Sequence, residues 1–464
     1  MSGEAAAAHV AIVGSGPSGF YAAEALMKAD PGLRVDMLER LPTPFGLVRG
    51  GVAPDHPKIK QVALVYDRIA RNPRFRFFGN VELGADVSVA RLRDAYHALV
   101  LACGAPVDAP LGIPGESLPG SHAAGDFVGW YNGHPDHSHR TFDLSHEVAV
   151  VIGHGNVASD ICRMLAMPAS ALAATDAASH AVEALAASRV REIHVIGRRG
   201  PAQAKFTENE LRELGAIDGC DALVEPADLE LNAASSAEVE DRRGVDAARI
   251  VKIFREFPRG PSGAPRRLRF RFLESPVRIN GDGRVQSVTL ARSRLEGAAF
   301  AQRPVATGER AELVCGLVFR CVGFRANPLP GLPFDASRGV VPNRAGRVID
   351  ADGPLAGVYA AGWVKRGASG IIGTNRADSG ETVRALLEDL AALRTRRVPG
   401  TAGLQALLAA RGKPVVDYAG WLRLDAVEVS RGRASGKPRE KIVDVARMLD
   451  AARETVSETQ GVTA

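Results

Sequence analysis

The sequence predicts an α/β chain of two three-layer domains, one inserted into the other. Three observations carry this. A glycine-rich turn follows a short β-branched run near the start of the chain, a second turn of the same kind recurs at residue 153, and each leads to a further strand whose ending differs in charge. At 464 residues the chain exceeds one ordinary domain of roughly 100–200 residues. Its 46% hydrophobic and 24% charged content is that of a soluble globular protein, so the length reads as folded domains. No stretch approaches the roughly 18 unbroken apolar residues of a membrane helix. Met1 to Ala8 holds no basic residue, and the apolar run Val10 to Val13 is too short for a secretory signal. A cytoplasmic chain without membrane insertion is expected.

The first turn is His9-Val-Ala-Ile-Val-Gly14-Ser-Gly16-Pro-Ser18-Gly19, with G-x-G-x-x-G spacing before an alanine-rich stretch suited to helix. In this pattern Gly14 makes the tight turn, Gly16 lets a pyrophosphate approach the backbone, and Gly19 lets helix and strand pack closely. The helix N-terminus then faces the phosphates. Alone the motif is weak. It gains context from the strand Arg34-Val-Asp-Met-Leu-Glu39, which ends in an acid where a ribose-binding carboxylate belongs.

The second turn is Glu147-Val-Ala-Val-Val-Ile-Gly153-His154-Gly155-Asn156-Val157-Ala158, with alanine as the accepted third residue. Its following strand, Arg191 to Gly197, runs into Arg198-Arg199 rather than an acid. A carboxylate would repel a ribose 2′-phosphate, whereas guanidinium forks bind one. The first site is therefore assigned to FAD and the second to NADP(H). The fold class is α/β with two Rossmann-like dinucleotide-binding domains, the NADP domain inserted into the FAD domain. Expected boundaries are 1–105 and 320–464, with a C-terminal tail, for the FAD domain, and 106–319 for the NADP domain. The two sites are expected to face each other across a cleft.

The five cysteines, Cys103, Cys162, Cys220, Cys315 and Cys321, form no C-x-x-C pair. That argues against a disulfide framework, a zinc site, a redox dithiol of the thioredoxin reductase type, and a resident iron–sulfur cluster. No metal site is expected. If electrons leave singly, the acceptor must be another molecule. The net charge of +5 is spread over dispersed arginines without a nucleic-acid motif; it suits an anionic cofactor and an acidic protein partner rather than nucleic acid.

Three further segments carry a family resemblance: Leu41-Pro-Thr-Pro-Phe45-Gly46-Leu47-Val48-Arg49 with Pro54-Asp55-His56-Pro57-Lys58, Lys205-Phe206 through Glu210 and Glu213 to Leu214, and Ala361-Gly362-Trp363 through Asn375. Together they strongly resemble the adrenodoxin reductase family, nearest its bacterial NADPH–ferredoxin reductase branch, over about Val10 to Ala392. Tryptophan at 363, where many flavin reductases have aspartate, marks the branch.

The resemblance implies a flavoprotein that passes hydride from NADPH to FAD and then two single electrons to an iron–sulfur ferredoxin, reversibly in principle. It implies that Glu39 binds the FAD ribose, that Leu47 and Val81 give backbone contacts to the flavin nucleotide, and that Trp363 with Gly370, Ile371 and Ile372 walls the isoalloxazine ring. His154 to Val157 would cradle the NADP pyrophosphate and Arg198 and Arg199 its 2′-phosphate, with Glu210 and Gly370 at the nicotinamide end. His56 and Glu213 match a pair near the active centre. Ala109 departs from the family, whose members carry an arginine shortly after the Ala102-Cys103-Gly104 turn; that departure predicts weaker NADP binding. A ferredoxin domain fused at the N-terminus is not expected, and nothing demands a partner subunit, so a monomer is.

The remaining segments say less. His134, His137 and His139 read as a surface loop rather than a metal cluster. Ala169 to Ala187 reads as a helical excursion and 228–265 as a loop-rich connection. Arg266-Arg267-Leu-Arg269-Phe-Arg271-Phe272 alternates as a half-buried strand whose basic face is either solvated surface or a ferredoxin-docking face. The basic run Arg431, Arg433 and Lys437 is the second docking candidate, and the polar end beyond it is expected to fray. A flavin monooxygenase and a non-catalytic electron-transfer subunit are the competing functions.

Overall fold

In the computed structural model, which describes residues 7–258 and 260–453, the backbone clusters into two units. One is Met1–Val107 with Phe324–Ala464; the other is Asp108–Gly323.

The first unit is built on a seven-stranded sheet. β1 (Ala8–Val13), β2 (Leu33–Glu39), β3 (Phe75–Gly79) and β4 (Ala98–Leu101) run parallel in the order β3-β2-β1-β4. Gly353–Ala360 joins β4 in parallel, and Arg347–Asp350 and Asn343–Arg344 finish the sheet antiparallel. Along β1 the side chains split by period two. Val10 and Ile12 pack with Phe20 and Leu26 of helix α1 (Pro17–Ala29) and Leu386 of the helix Thr374–Leu393. Ala11 and Val13 pack with Leu92 and Leu404 of two helices on the opposite face. A strand covered on both sides requires such a continuous apolar run. The C-terminal helices Tyr418–Ala434 and Val445–Arg453 join the α1 side through Trp421, Leu424 and Met448.

The second unit holds a six-stranded parallel sheet in the order Ser121–Ala123, Leu317–Arg320, Val148–Ile152, Glu192–Ile196, Arg266–Arg271, Cys220–Val224. On one face Phe270 meets Phe254 of the helix Val245–Glu256. On the other, Val150, Ile152 and Val318 pack against Ile279, Val288 and Leu290 of a three-stranded antiparallel sheet, Glu274–Asn280, Ser287–Glu296 and Arg303–Val314. The third layer of this unit is thus a sheet.

The alanine-rich excursion forms two short helices, Ala169–Ala173 and Ser179–Ala186. The stretch 228–265 departs from the loop-rich expectation: it carries the helices Ala233–Glu240 and Val245–Glu256. Its polarity concealed an apolar stripe, since Ile250, Val251, Ile253 and Phe254 are all buried. The end expected to fray lies outside the described residues. Among those described, no helix is long and apolar enough to cross a membrane.

Candidate functional site: two dinucleotide turns

The first turn leaves α1 directly from β1. Gly14 has φ +105°, and a Cβ there would stand 2.5 Å from the Ala102 carbonyl oxygen; one on Gly19 would stand 2.1 Å from the Gly14 oxygen. At Gly16 a Cβ would meet nothing within 4 Å. Two glycines are therefore demanded by the fold, while the third keeps open ground beside a helix N-terminus. Glu39, at the end of β2, holds its carboxylate toward this turn: Oε2 accepts from the Ser15 N–H (3.1 Å) and hydroxyl (2.7 Å), and Oε1 from the Leu41 N–H (3.1 Å). Val81 is buried beside it, with its N–H donating to the Glu39 carbonyl at 2.8 Å.

The distant segment 361–375 closes on the same turn. The Ser18 hydroxyl donates to Asn375 Oδ1 at 3.0 Å, and a Cβ on Gly362 would lie 2.0 Å from Ser18 Oγ. Trp363 donates its indole N–H to the Ser369 carbonyl at 3.0 Å and stacks with Phe324. Gly370 and Ile371 are exposed, Ile371 by 63%, and Ile372 is half-buried. Leu47 is also exposed, at the start of the turn Leu47–Gly50. His56 is half-buried before the turn Pro57–Lys60, its carbonyl accepting from the Ile59 N–H at 3.2 Å.

The second turn repeats the backbone logic. A Cβ on Gly153 (φ +136°) would stand 2.3 Å from the Cys321 carbonyl oxygen, whereas one on Gly155 would meet nothing within 4 Å. His154 points back into the protein: its Nε2 bonds the Val195 carbonyl at 3.0 Å, and its ring fills the space a Gly197 side chain would need. Burial pushes its imidazole down to about 4, against that hydrogen bond, so the ring is neutral at physiological pH. Asn156 Oδ1 accepts from the Thr207 N–H at 2.9 Å, and Val157 follows it on the first turn of the helix Asn156–Ala166.

Arg198 is exposed and Arg199 half-buried just past the strand Glu192–Ile196. Neither guanidinium hydrogen-bonds or ion-pairs with another described residue; Arg199 only senses the Glu238 carboxylate at a distance. Glu210 and Glu213, on the helix Glu208–Gly215, converge on Arg163, which is 2% exposed. Glu210 pairs with it closely, Glu213 stands 3.7 Å away, and Asp160 closes the clasp at 2.5 Å.

With this geometry in place, known proteins supply the lineage. Residues 12–76 match the family described as an NAD(P)-binding Rossmann-like domain. The NADPH-ferredoxin reductase FprA of Mycobacterium leprae is 45% identical over 453 residues, covering 95% of this chain and 97% of that protein. The mitochondrial NADPH:adrenodoxin oxidoreductase of Homo sapiens is 44% identical over 452 residues, covering 95% and 91%. The chain belongs to the adrenodoxin reductase family. Among solved structures, Mycobacterium tuberculosis FprA in complex with NADPH is similar with a TM-score of 0.90 at 43% identity, over 96% of this chain and 99% of that one.

Against this family frame, sequence reasoning missed three supporting residues. Ser15, which orients Glu39, sits inside the glycine motif and was within reach. Asn375 ended a quoted motif but had no visible partner. Arg163 carried no local signal, because its acids lie on another helix. Arg266–Arg271 is a half-buried interior strand, as its alternation predicts; Arg269 pairs with Glu192 (2.8 Å) and Arg271 with Glu274 (2.6 Å), which favours solvated surface over a docking face. The second docking candidate also shrinks: Lys437 is buried and paired with Glu440. His137 faces Asp126 at 3.2 Å, and His134 accepts from the Asp136 N–H at 3.2 Å.

Proposed function

We propose that the chain is an NADPH–ferredoxin oxidoreductase, with FAD in the first unit and NADP(H) in the second. The observation that carries this is the contrast between two turns of like backbone: one is completed by a fixed carboxylate, the other by two uncommitted guanidinia. The residues fit both groups, since Gly16 and Gly155 leave clear ground where a pyrophosphate meets backbone N–H groups. Bound together, the two cofactors supply hydride transfer and the division of an electron pair into single electrons, which an iron–sulfur acceptor needs.

In this reading Gly14, Gly16, Ser18, Gly19 and Glu39 hold FAD, with backbone contacts from Leu47 and Val81 and a wall from Trp363, Gly370, Ile371 and Ile372. Gly153, His154, Gly155, Asn156 and Val157 cradle the NADP pyrophosphate through their backbone, which suits the inward, neutral imidazole of His154. Arg198 and Arg199 select the 2′-phosphate. Glu210 and Gly370 serve the nicotinamide end. His56 and Glu213 are the active-centre pair, and both keep accessible side chains. The proposed domain limits, 1–105, 106–319 and 320–464, stand two to four residues from the unit boundaries after Val107 and Gly323.

A ferredoxin-type iron–sulfur protein is the partner, and a monomer in the cytoplasm is the proposed state. The test is NADPH-driven cytochrome c reduction across a panel of ferredoxins. Turnover that depends on ferredoxin supports the reading. Consumption of NADPH by oxygen at the same rate without any ferredoxin favours a monooxygenase and contradicts it.

A further inference from the structure

The C-terminal helices carry the strongest unassigned feature of the first unit. Glu428, on the helix Tyr418–Ala434, is 0% exposed, yet it bears a carboxylate. Both oxygens are taken by the fork of Arg49, at 2.8 and 2.5 Å, with the Ile442 N–H at 2.8 Å and Arg439 at 3.2 Å. The same helix presents Trp421, whose ring lies 5.3 Å beneath the Arg49 guanidinium and edge-on to Phe45 at 5.7 Å. Lys441 donates to the Arg49 carbonyl at 3.2 Å. Arg49 is thus held at its fork, its flat face and its backbone carbonyl by residues beyond 420.

What Arg49 anchors is the loop over the first glycine turn. Phe45 N–H donates to the Ser15 carbonyl at 3.1 Å, and a Cβ on Gly46 would stand 2.9 Å from the Gly16 Cα. Phe45 itself has φ +84°, a conformation a bulky residue keeps only under outside restraint. We propose that Glu428 is a positioning residue of the flavin site: by fixing Arg49 it holds the loop of residues 45–50 against the phosphate turn and slows loss of the cofactor. Trp421 is its second contact on that loop. The proposal rests on the FAD reading of this unit. Net, the Glu428 carboxyl lies below its ordinary range, because Arg49 and Arg439 outweigh the opposing effect of burial, so the pair is ionic.

The test compares flavin release from the holoprotein of the wild type, Glu428→Gln and Trp421→Leu, followed by flavin fluorescence on dilution. Thermal melting of each apoprotein is measured alongside. At least tenfold faster release is expected for Glu428→Gln, equivalent to about 1.4 kcal/mol, and a smaller rise for Trp421→Leu, with apoprotein melting changed by only a few degrees. Trp421→Leu leaves no buried charge unpaired, and it decides the matter alone if Glu428→Gln does not fold. Release within twofold of wild type, or release that merely tracks a loss of apoprotein melting temperature, overturns the proposal. A wild-type chain that binds no FAD overturns the site reading itself, and the brace with it; a flavin-loaded wild type with unaltered variants overturns the brace alone.

Discussion

The two glycine turns share a backbone and part company at the end of the following strand. After β2 the Glu39 carboxylate is already committed, held by Ser15 and Leu41. After Glu192–Ile196 the two arginines have no described ion-pair partner, although Arg269, Arg271 and Arg292 nearby are all paired. The difference teaches that a prepared hydrogen-bonding acceptor can be built from the protein's own groups, while a phosphate site must keep its charge in reserve. A guanidinium already satisfied within the fold would gain little from a ligand.

The contrast breaks most visibly at the arginines. Charge-assisted hydrogen bonds are worth roughly 1.5–3 kcal/mol each, so Arg198→Ala with Arg199→Ala should cut kcat/KM for NADPH by on the order of a hundredfold or more. The value for NADH should change little. Equal losses for both nucleotides would show that the pair is not the phosphate site.

The open glycines come next. Gly16 and Gly155 have extended backbones that any residue adopts, with φ −77° and −130°. Gly16→Val and Gly155→Val should therefore fold with near-native melting. The first should lose at least tenfold in FAD affinity, about 1.4 kcal/mol, and the second a similar factor in KM for NADPH. If melting collapses instead, those glycines serve the fold.

A pH measurement separates the turns further. His154 has no counterpart in the first turn, where Ser15 stands between the glycines. Unfolded, it protonates near the ordinary histidine value of 6.5, and folded only near 4, because burial disfavours the charged ring. The unfolded chain thus binds more protons between these values, and the contribution of His154 to stability falls as pH drops through that window, by about 2 kcal/mol at pH 5; His122 and His194, likewise pushed down to about 4 by burial, add to the loss. Chemical denaturation at pH 7 and 5 should show the loss, and His154→Gln should reduce it.

The smallest effect concerns the partner. Ferredoxin reduction should slow severalfold as salt rises, since exposed charges are screened beyond a Debye length of about 8 Å; ferricyanide reduction should respond less. Arg269→Glu should disturb its pairing with Glu192 without abolishing the salt effect. A ferredoxin rate that is flat with salt would remove electrostatic docking from the account.

Both turns were legible because glycine spacing and strand endings are local signals, and the charge contrast could be read from Glu39 and Arg198-Arg199 alone. The strand Arg266–Arg271 was legible as a strand. Its ion pairs were not, because Glu192 and Glu274 come from other strands. The helix Val245–Glu256 was hidden by a polar surface over a narrow apolar stripe. The brace of Arg49 by Glu428 was invisible for a simpler reason: the two residues are 379 positions apart, and no local pattern announces a buried ion pair.

The most direct measurement is an anaerobic titration of the purified chain, followed through its visible absorption. The account predicts one non-covalent FAD per chain, bleached by one equivalent of NADPH, hardly by equimolar NADH, and restored by two equivalents of an oxidised one-electron ferredoxin. A chain without flavin, a flavin reduced equally well by NADH, or one that ferredoxin does not reoxidise would contradict it.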